Sequence, residues 1–389
     1  MTGMDNLRDA LVALLVQTCD LPASEINQIV HIAGQVLGAE SARLLVADYG
    51  LSWLTELGGD GPTGPHQAIE GTLAGRAFVR DEIVASVDEP LVWIPLTEGA
   101  ERLGVLELQH RGWTEEHRDV VDPIVRVLVL VLISKRRYTD VVHRSRRAQP
   151  LSPAAEMQWD LLPPLSCSTD RVSVSGILEP AYEIGGDSFD YALNHNGLEL
   201  SIIDAVGHGL SAVSMAVAAI NSLRNARREG LDLEGAYHAA GAIIEAQFGH
   251  SYFVTAQLAS LAVDTGQLTW LNAGHPPPLL VREGVYVGEL VCSPSMPMGL
   301  GGQVVQIATE KLQPGDRVLF HTDGVSETRS PAGDAFGVPR LADHLVRATL
   351  DQTFVAETVR RLATSVMAFN GSVLADDATF FLLEFHGVR

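Results

Sequence analysis

The amino-acid sequence predicts an α+β protein of more than one domain, and three observations carry that prediction. Strand-like and helix-like stretches come in groups, which argues for layers of sheet and helix rather than a parallel βαβ wind. The chain's 389 residues, 46% of them hydrophobic, are enough for two or three domains at about 100–200 residues each. A proline pair, Pro163-Pro164, stops a helical stretch and marks a boundary between two regions.

Residues 1–112 read as an α/β unit. Apolar spacing in Leu7–Val16 and Ile26–Leu37 suits helices, and Ala42–Val46, Ile83–Ala85, Leu91–Pro95 and Gly104–Gln109 suit strands of an antiparallel sheet. Gly58–Pro65 reads as a loop, and Glu70–Phe78 as a short helix entering a strand. Residues 113–164 read as a helical linker. Thr114-Glu115-Glu116 caps a helix whose stripe of Val120, Ile124, Val127, Leu128, Val131 and Leu132 can bury against its own domain or against the same helix of a second subunit. Pro123 is expected to kink or restart that helix. The basic run from Lys135 to Arg147 reads as a solvated helical face before Ala154–Pro164.

Residues 165–389 alternate apolar and polar residues in long strands: Val172–Leu178, Leu198–Asp204, Tyr252–Val263, Gln267–Leu271, Arg317–Thr322 and Ala378–Phe385. Helical stretches fall at Leu210–Arg227, Leu233–Gln247, Pro339–Leu350 and Phe354–Phe369. Asp264-Thr265-Gly266 reads as a plain hairpin turn.

Composition narrows the function. A net charge of −21 leaves no cation excess to neutralise phosphates, so sequence-independent nucleic-acid binding is not expected. Three widely separated cysteines, Cys19, Cys167 and Cys292, support neither a zinc ribbon nor a disulfide framework. The first eight residues lack a basic n-region, and the longest apolar run, Val127 to Ile133, falls far short of the roughly 18–20 residues that span a bilayer. A cytoplasmic protein without a membrane partner is the expectation.

Four aspartates in glycine-rich or acidic turns carry the chemistry: Asp187 in Gly-Gly-Asp, Asp204 in Asp-Ala-Val-Gly-His-Gly, Asp323 in Thr-Asp-Gly and Asp376 in Asp-Asp-Ala-Thr. Hard oxygen ligands suit Mg²⁺ or Mn²⁺. Asp323-Gly324 taken alone is an ordinary turn. Asp204 ends an apolar strand ahead of a glycine-rich helix start, and Asp376-Asp377 pairs like charges that repel without a cation. The four together point to a metal site.

In this order, Gly185-Gly186-Asp187, Asp204-x-x-Gly207-His208-Gly209, Asn272-Ala273-Gly274-His275-Pro276-Pro277, Thr322-Asp323-Gly324 and Asp376-Asp377-Ala378-Thr379 resemble the SpoIIE-like branch of the metal-dependent protein phosphatases, within the protein-phosphatase-2C superfamily. The resemblance spans residues 155–386. It implies an αββα sandwich that hydrolyses phosphoserine or phosphothreonine on proteins with two Mn²⁺ or Mg²⁺ ions. It implies further that Asp204 bridges both ions, the Ala205 carbonyl completes one, Asp187 supports that side, and Asp323 and Asp376 hold the other. Such a metal pair lowers the pKa of a shared water and offsets charge on the transferred phosphoryl group. No arginine shortly before Asp187 offers a phosphate clamp. His208 and His275 are the histidines within the glycine-rich motifs. Either donates a proton to the leaving oxygen, or each merely packs its turn.

The resemblance also implies a phosphorylated STAS-type anti-sigma-factor antagonist as substrate, and control through movement of the helices starting at Leu210 and Leu233. The first region resembles a GAF domain, a small-ligand sensor. The resemblance lies in the Ala42–Asp48 strand, the Gly71–Phe78 turn-helix, Val92–Leu96 and Leu103–Leu108. A homodimer through the linker helix would carry the sensor's state onward. Two other readings are a non-catalytic partner-binding scaffold, against which the full set of four aspartates speaks, and a hydrolase of small phosphoesters, for which no base-binding motif is visible.

Overall fold

In the computed structural model, which describes residues 2–58, 66–114, 117–182, 185–195, 197–302, 304–371, 374 and 376–387, the chain forms two units, Met1–Pro150 and Leu151–Arg389. The first runs α1 (Thr2–Cys19), α2 (Ile26–Val36), β1 (Ser41–Ala47), β2 (Trp53–Glu56), β3 (His66–Ala68), α3 (Leu73–Arg80), β4 (Val84–Ala85), β5 (Leu91–Glu98), β6 (Glu101–Gln109), α4 (Arg118–Lys135) and α5 (Val141–Ser145). Its strands form one antiparallel sheet ordered β3-β2-β1-β6-β5-β4. Successive residues alternate faces. Leu44, Val46, Ile94 and Leu106 pack with α1, α2 and α4, whereas Leu45, Trp93 and Val105 pack with Phe78 of α3.

The apolar stripe of α4 is spent inside this unit. Ile124 and Leu128 are fully buried, and Val127 and Val131 pack against the same cluster as Leu14 and Ile29. Of the two partners open to this stripe, the structure shows the unit's own: α1, α2 and its sheet fill the seam. Pro123 does not interrupt α4, which starts at Arg118 rather than at a Thr114 cap. Thr114 instead donates its backbone N–H to His117 Nδ1 at 3.1 Å. Glu115 and Glu116, like residues 59–65 of the expected loop, lie outside the described residues.

The basic run also departs from the expected solvated face. Lys135 Nζ donates to the Leu21 carbonyl at 2.6 Å, and Arg146 lies over the Tyr49 ring at 4.4 Å while its Nε donates to the Ala47 carbonyl at 3.1 Å. Carbonyls left by helix and strand ends draw these cations back onto the unit.

The second unit runs α6 (Pro153–Leu161), β7 (Ser166–Ser168), β8 (Val172–Glu179), β9 (Asp187–Asn194), β10 (Gly197–Ala205), α7 (Leu210–Arg228), α8 (Leu233–Phe248), β11 (Val254–Ala262), β12 (Gln267–Ala273), β13 (Leu279–Arg282), β14 (Val285–Glu289), β15 (Ile307–Lys311), β16 (Arg317–His321), α9 (Asp323–Glu327), α10 (Gly337–Leu350), α11 (Val355–Asn370) and β17 (Ala378–Phe385). Two sheets face each other, ordered β15-β12-β11-β10-β9 and β14-β13-β16-β17-β8-β7. Phe189, Leu200, Ile202 and Trp270 from the first interleave with Val174, Phe320, Phe381 and Leu383 from the second. Helices α7 and α8 cover the outer face of the five-stranded sheet through Met215, Ile220 and Ile244, and α10 and α11 pack on the other sheet. The layers are helix, sheet, sheet, helix, as the sequence predicts.

Helix α6 belongs to this unit. Ser152 caps it by accepting from Ala155 N at 3.1 Å, Pro153 opens its first turn, and Ala155, Gln158 and Leu161 are buried. The stretch read as a linker, residues 113–164, is thus shared between the two units. Among the described residues, no helix is long and apolar enough to cross a membrane.

Candidate metal centre

Strand β9 starts at Asp187 and β10 ends one residue after Asp204, and register sets these two aspartates directly opposite each other. The neighbouring pair is joined by Ala205 N donating to Gly186 O at 3.1 Å. Asp187 and Asp204 therefore form a non-hydrogen-bonded pair, the kind whose side chains approach more closely. Gly186 is required here, because a Cβ would sit 2.0 Å from the Ala205 carbonyl oxygen.

The opposing sheet delivers the other acids to the same end of the sandwich. Asp323 opens α9 immediately after β16, and Asp376 and Asp377 lead into β17, its antiparallel neighbour. Gly324 makes that approach feasible, since a Cβ there would lie 1.8 Å from the Asp377 carbonyl oxygen. Thr322 joins the two sheets. Its hydroxyl donates to Asp187 Oδ2 at 2.7 Å and accepts from Thr379 N at 3.0 Å.

Burial and charge differ among the acids. Asp187 and Asp377 are buried, Asp204 is half-buried, and Asp323 and Asp376 are exposed. Burial, then the charges of Asp323, Asp376 and Asp377, push the Asp204 carboxyl up to about 7. Burial followed by Asp204 and Asp377 holds Asp187 well above the usual carboxylate range. Asp377 is pushed to about 6 by burial, against the pull of the Asp187 and Gly185 backbone N–H groups. The charges acting on Asp204 are all negative, an arrangement that a divalent cation relieves.

The donor set fits a hard cation in kind: carboxylate oxygens, plus the carbonyl of Ala205 at the end of β10. Among the described residues, no three His, Cys, Asp or Glu side chains are closed around a common point as they stand. The structure brings Asp187 and Asp204 face to face. It places Asp323 and Asp376 near enough for Asp204 to feel their charge, without assembling a cage.

The histidines separate. His208 is exposed in the loop between Asp204 and α7. His275 is buried, shares a hydrogen bond with Thr255 Oγ1 at 2.8 Å, and is pushed down to about 3 by burial and then by His321. Its backbone is clamped both ways by Asn272, whose Oδ1 accepts from His275 N at 2.8 Å and whose Nδ2 donates to His275 O at 2.9 Å. A neutral, buried ring does not hand a proton to an external substrate, so His275 is a packing residue of its loop. Leu210 and Leu233 open α7 and α8. Leu210 is exposed, and α8 is capped by Asp232 accepting from Gly235 N at 2.8 Å.

Three residues have roles here that the sequence reading did not assign. Asp377 accepts from Gly185 N at 2.7 Å, Thr322 orients Asp187, and Gln158 of α6 donates its side-chain amide to the Asp187 carbonyl. A polar residue on the otherwise apolar face of α6 was the available signal for Gln158. Two arginines, Arg224 and Arg227, come close to this strand, but both are held by buried Asp190, at 2.7 and 3.0 Å.

Comparison with known proteins fits this geometry. The profile of the family described as Stage II sporulation protein E (SpoIIE) matches residues 194–386, a span that includes Asp204, Asp323 and Asp376. Protein IcfG of Synechocystis sp. is 23% identical over 258 residues, covering 59% of this chain and 40% of IcfG. Phosphoserine phosphatase RsbU of Bacillus subtilis is 22% identical over 237 residues, covering 59% of this chain and 68% of RsbU. The chain thus spans less than half of one of these relatives and about two thirds of the other. Among solved structures, the SiaA PP2C domain of Pseudomonas aeruginosa superposes with a TM-score of 0.51 at 20% identity, covering 60% of this chain and 94% of that domain. Residues 194–386 thus match the SpoIIE family, and the second unit has the PP2C-type phosphatase fold.

Proposed function

We propose that the second unit is a divalent-metal-dependent phosphatase that hydrolyses phosphoserine or phosphothreonine on a regulatory protein. The observation that carries this reading is the facing pair Asp187 and Asp204, with Asp323 and Asp376 at the same end of the sandwich. In this reading two Mn²⁺ or Mg²⁺ ions would be held by Asp204 together with Asp187 and the Ala205 carbonyl on one side and Asp323 and Asp376 on the other. When bound, such ions supply an acidified water and offset the charge that develops on the phosphoryl oxygens.

The chain's own residues contribute position and charge. Thr322 fixes the Asp187 carboxyl, and the Asp377 carboxyl holds the Gly185 and Asp187 N–H groups. His208 stands in the exposed loop beside Asp204, where it donates a proton to the leaving serine oxygen. Arg224 and Arg227 are committed to Asp190, so holding the substrate phosphate would fall to the bound ions.

A phosphorylated STAS-type anti-sigma-factor antagonist is the substrate that the family resemblance implies, and a similar protein carries the name phosphoserine phosphatase. The first unit then acts as a GAF-like sensor for a small molecule in a cytoplasmic pathway, biasing α7 and α8 between two packings. The test is Mn²⁺-dependent phosphate release from a phosphoserine protein, p-nitrophenyl phosphate and nucleotides, with Asp204→Ala alongside. Phosphoprotein turnover lost in the variant is the expected result. Turnover that survives it, or that needs no metal, refutes the reading.

A further inference from the structure

Strand β9 is the edge of the five-stranded sheet, with β10 as its single partner there. Because Asp187 and Asp204 form a non-hydrogen-bonded pair, the backbone N–H and C=O of Asp187 point away from β10, off the sheet edge. Asp187 is buried, so water cannot satisfy these two groups, and such groups are otherwise costly to leave unpaired. Two side chains satisfy them instead. Asp377 accepts from the N–H at 3.4 Å, and Gln158 donates to the C=O.

Gln158 is itself fully buried, and its helix is anchored on both sides of it. Trp159 Nε1 donates to the Ala181 carbonyl at 2.8 Å, and Arg224 of α7 donates to the Leu161 carbonyl at 2.7 Å. Arg224 reaches Asp190, three residues along β9 from Asp187, with the same guanidinium. Helix α6 is therefore fastened to α7 and to β9, and Gln158 bonds it directly to the aspartate that faces Asp204.

We infer that Gln158 is a positioning residue for the metal centre: its amide holds the edge-strand carbonyl of Asp187 so that the Asp187 carboxyl stays opposite Asp204. This inference rests on the metal site proposed above. The bond acts through the backbone of a ligand residue, as the outer partners of metal ligands do, and removing such partners weakens metal binding about 10- to 100-fold. The donor matters more than the shape of the side chain. An acceptor or an apolar tip at this place leaves the Asp187 carbonyl buried and unpaired.

The experiment is calorimetric titration of Mn²⁺ into the full chain, with thermal unfolding and phosphatase kinetics on the same samples. Gln158→Met keeps the volume and removes the donor, and Gln158→Asn keeps the amide but shortens its reach. Trp159→Phe is the control, because it loses a neighbouring α6 bond that does not touch Asp187. The expected result is Mn²⁺ affinity about tenfold weaker in both Gln158 variants, kcat at saturating metal within about twofold of the parent, and unchanged affinity in Trp159→Phe. Parental Mn²⁺ affinity in a folded Gln158 variant overturns the inference. So does an equal loss in Trp159→Phe, which would assign the effect to helix docking as a whole. If the parent chain itself binds no Mn²⁺, the metal-site reading falls, a result distinct from either of these. Should Gln158→Met fail to fold, Gln158→Asn carries the comparison.

Discussion

Asp187 and Asp204 face each other across an antiparallel strand pair at a position where the backbones exchange no hydrogen bond. Among the described residues, the nearby charges acting on Asp204 belong to Asp323, Asp376 and Asp377, and all are negative. A site built this way is less stable empty than filled.

The first prediction follows from the raised Asp204 pKa. An acid at about 7 in the folded state and about 3.9 unfolded binds its proton more tightly when folded. The stability it allows is fully present below about pH 3.9 and is lost as pH rises through about 7. For the metal-free protein, the contribution of this group to the melting temperature falls over that window. Asp204→Asn flattens the fall, as thermal unfolding in chelator across pH 4–8 will show. A parental slope in the variant contradicts the assignment.

Filling the site should reverse the same penalty. A ligand at about 100 times its dissociation constant stabilises the folded state by about 2.7 kcal/mol. Mn²⁺ should therefore raise the melting temperature of the parent at pH 7 and leave that of Asp204→Ala nearly unmoved. Equal shifts in the two proteins would place the ion elsewhere.

Much of this site is legible in the sequence, and the limits are physical. Asp204 could be read because the apolar stretch of β10 runs up to it and a glycine-rich turn follows. The start of β9 could not, because Gly185-Gly186-Asp187 reads equally well as a turn until β10 supplies its partner. The Asp376-Asp377 doublet shows that an acid is needed but not which one turns inward. Adjacent extended residues face opposite ways, and here Asp376 is exposed while Asp377 is buried against Gly185. The α4 stripe poses the same kind of problem. Periodicity shows that Ile124 is buried without saying by what.

That burial sets the third prediction. Ile124 is fully enclosed between α1, α2 and the first sheet, so Asp at this position buries an unpaired carboxylate. Ile124→Asp should destabilise the first unit by more than about 3 kcal/mol, beyond the range of ordinary point changes. Urea unfolding followed by Trp93 fluorescence measures it. A folded first unit with only a change in oligomeric state would restore the intersubunit seam that the structure fills internally.

His275 supplies a prediction of opposite sign. Its ring titrates near 3 when folded and about 6.5 when unfolded, so it contributes stability above about pH 6.5 that is lost as pH falls toward 3. His321, also buried and also lowered, acts in the same direction. Acid unfolding of the parent should therefore begin below about pH 6, and His275→Gln should soften that limb at some cost in overall stability. Activity gives the complementary readout. Because His275 is buried behind Thr255 and clamped by Asn272, a folded His275→Gln should keep the parental pH dependence of kcat. His208→Gln should lower kcat by 10²–10⁴-fold if its imidazole protonates the leaving oxygen. A loss confined to His275→Gln would reverse the two assignments.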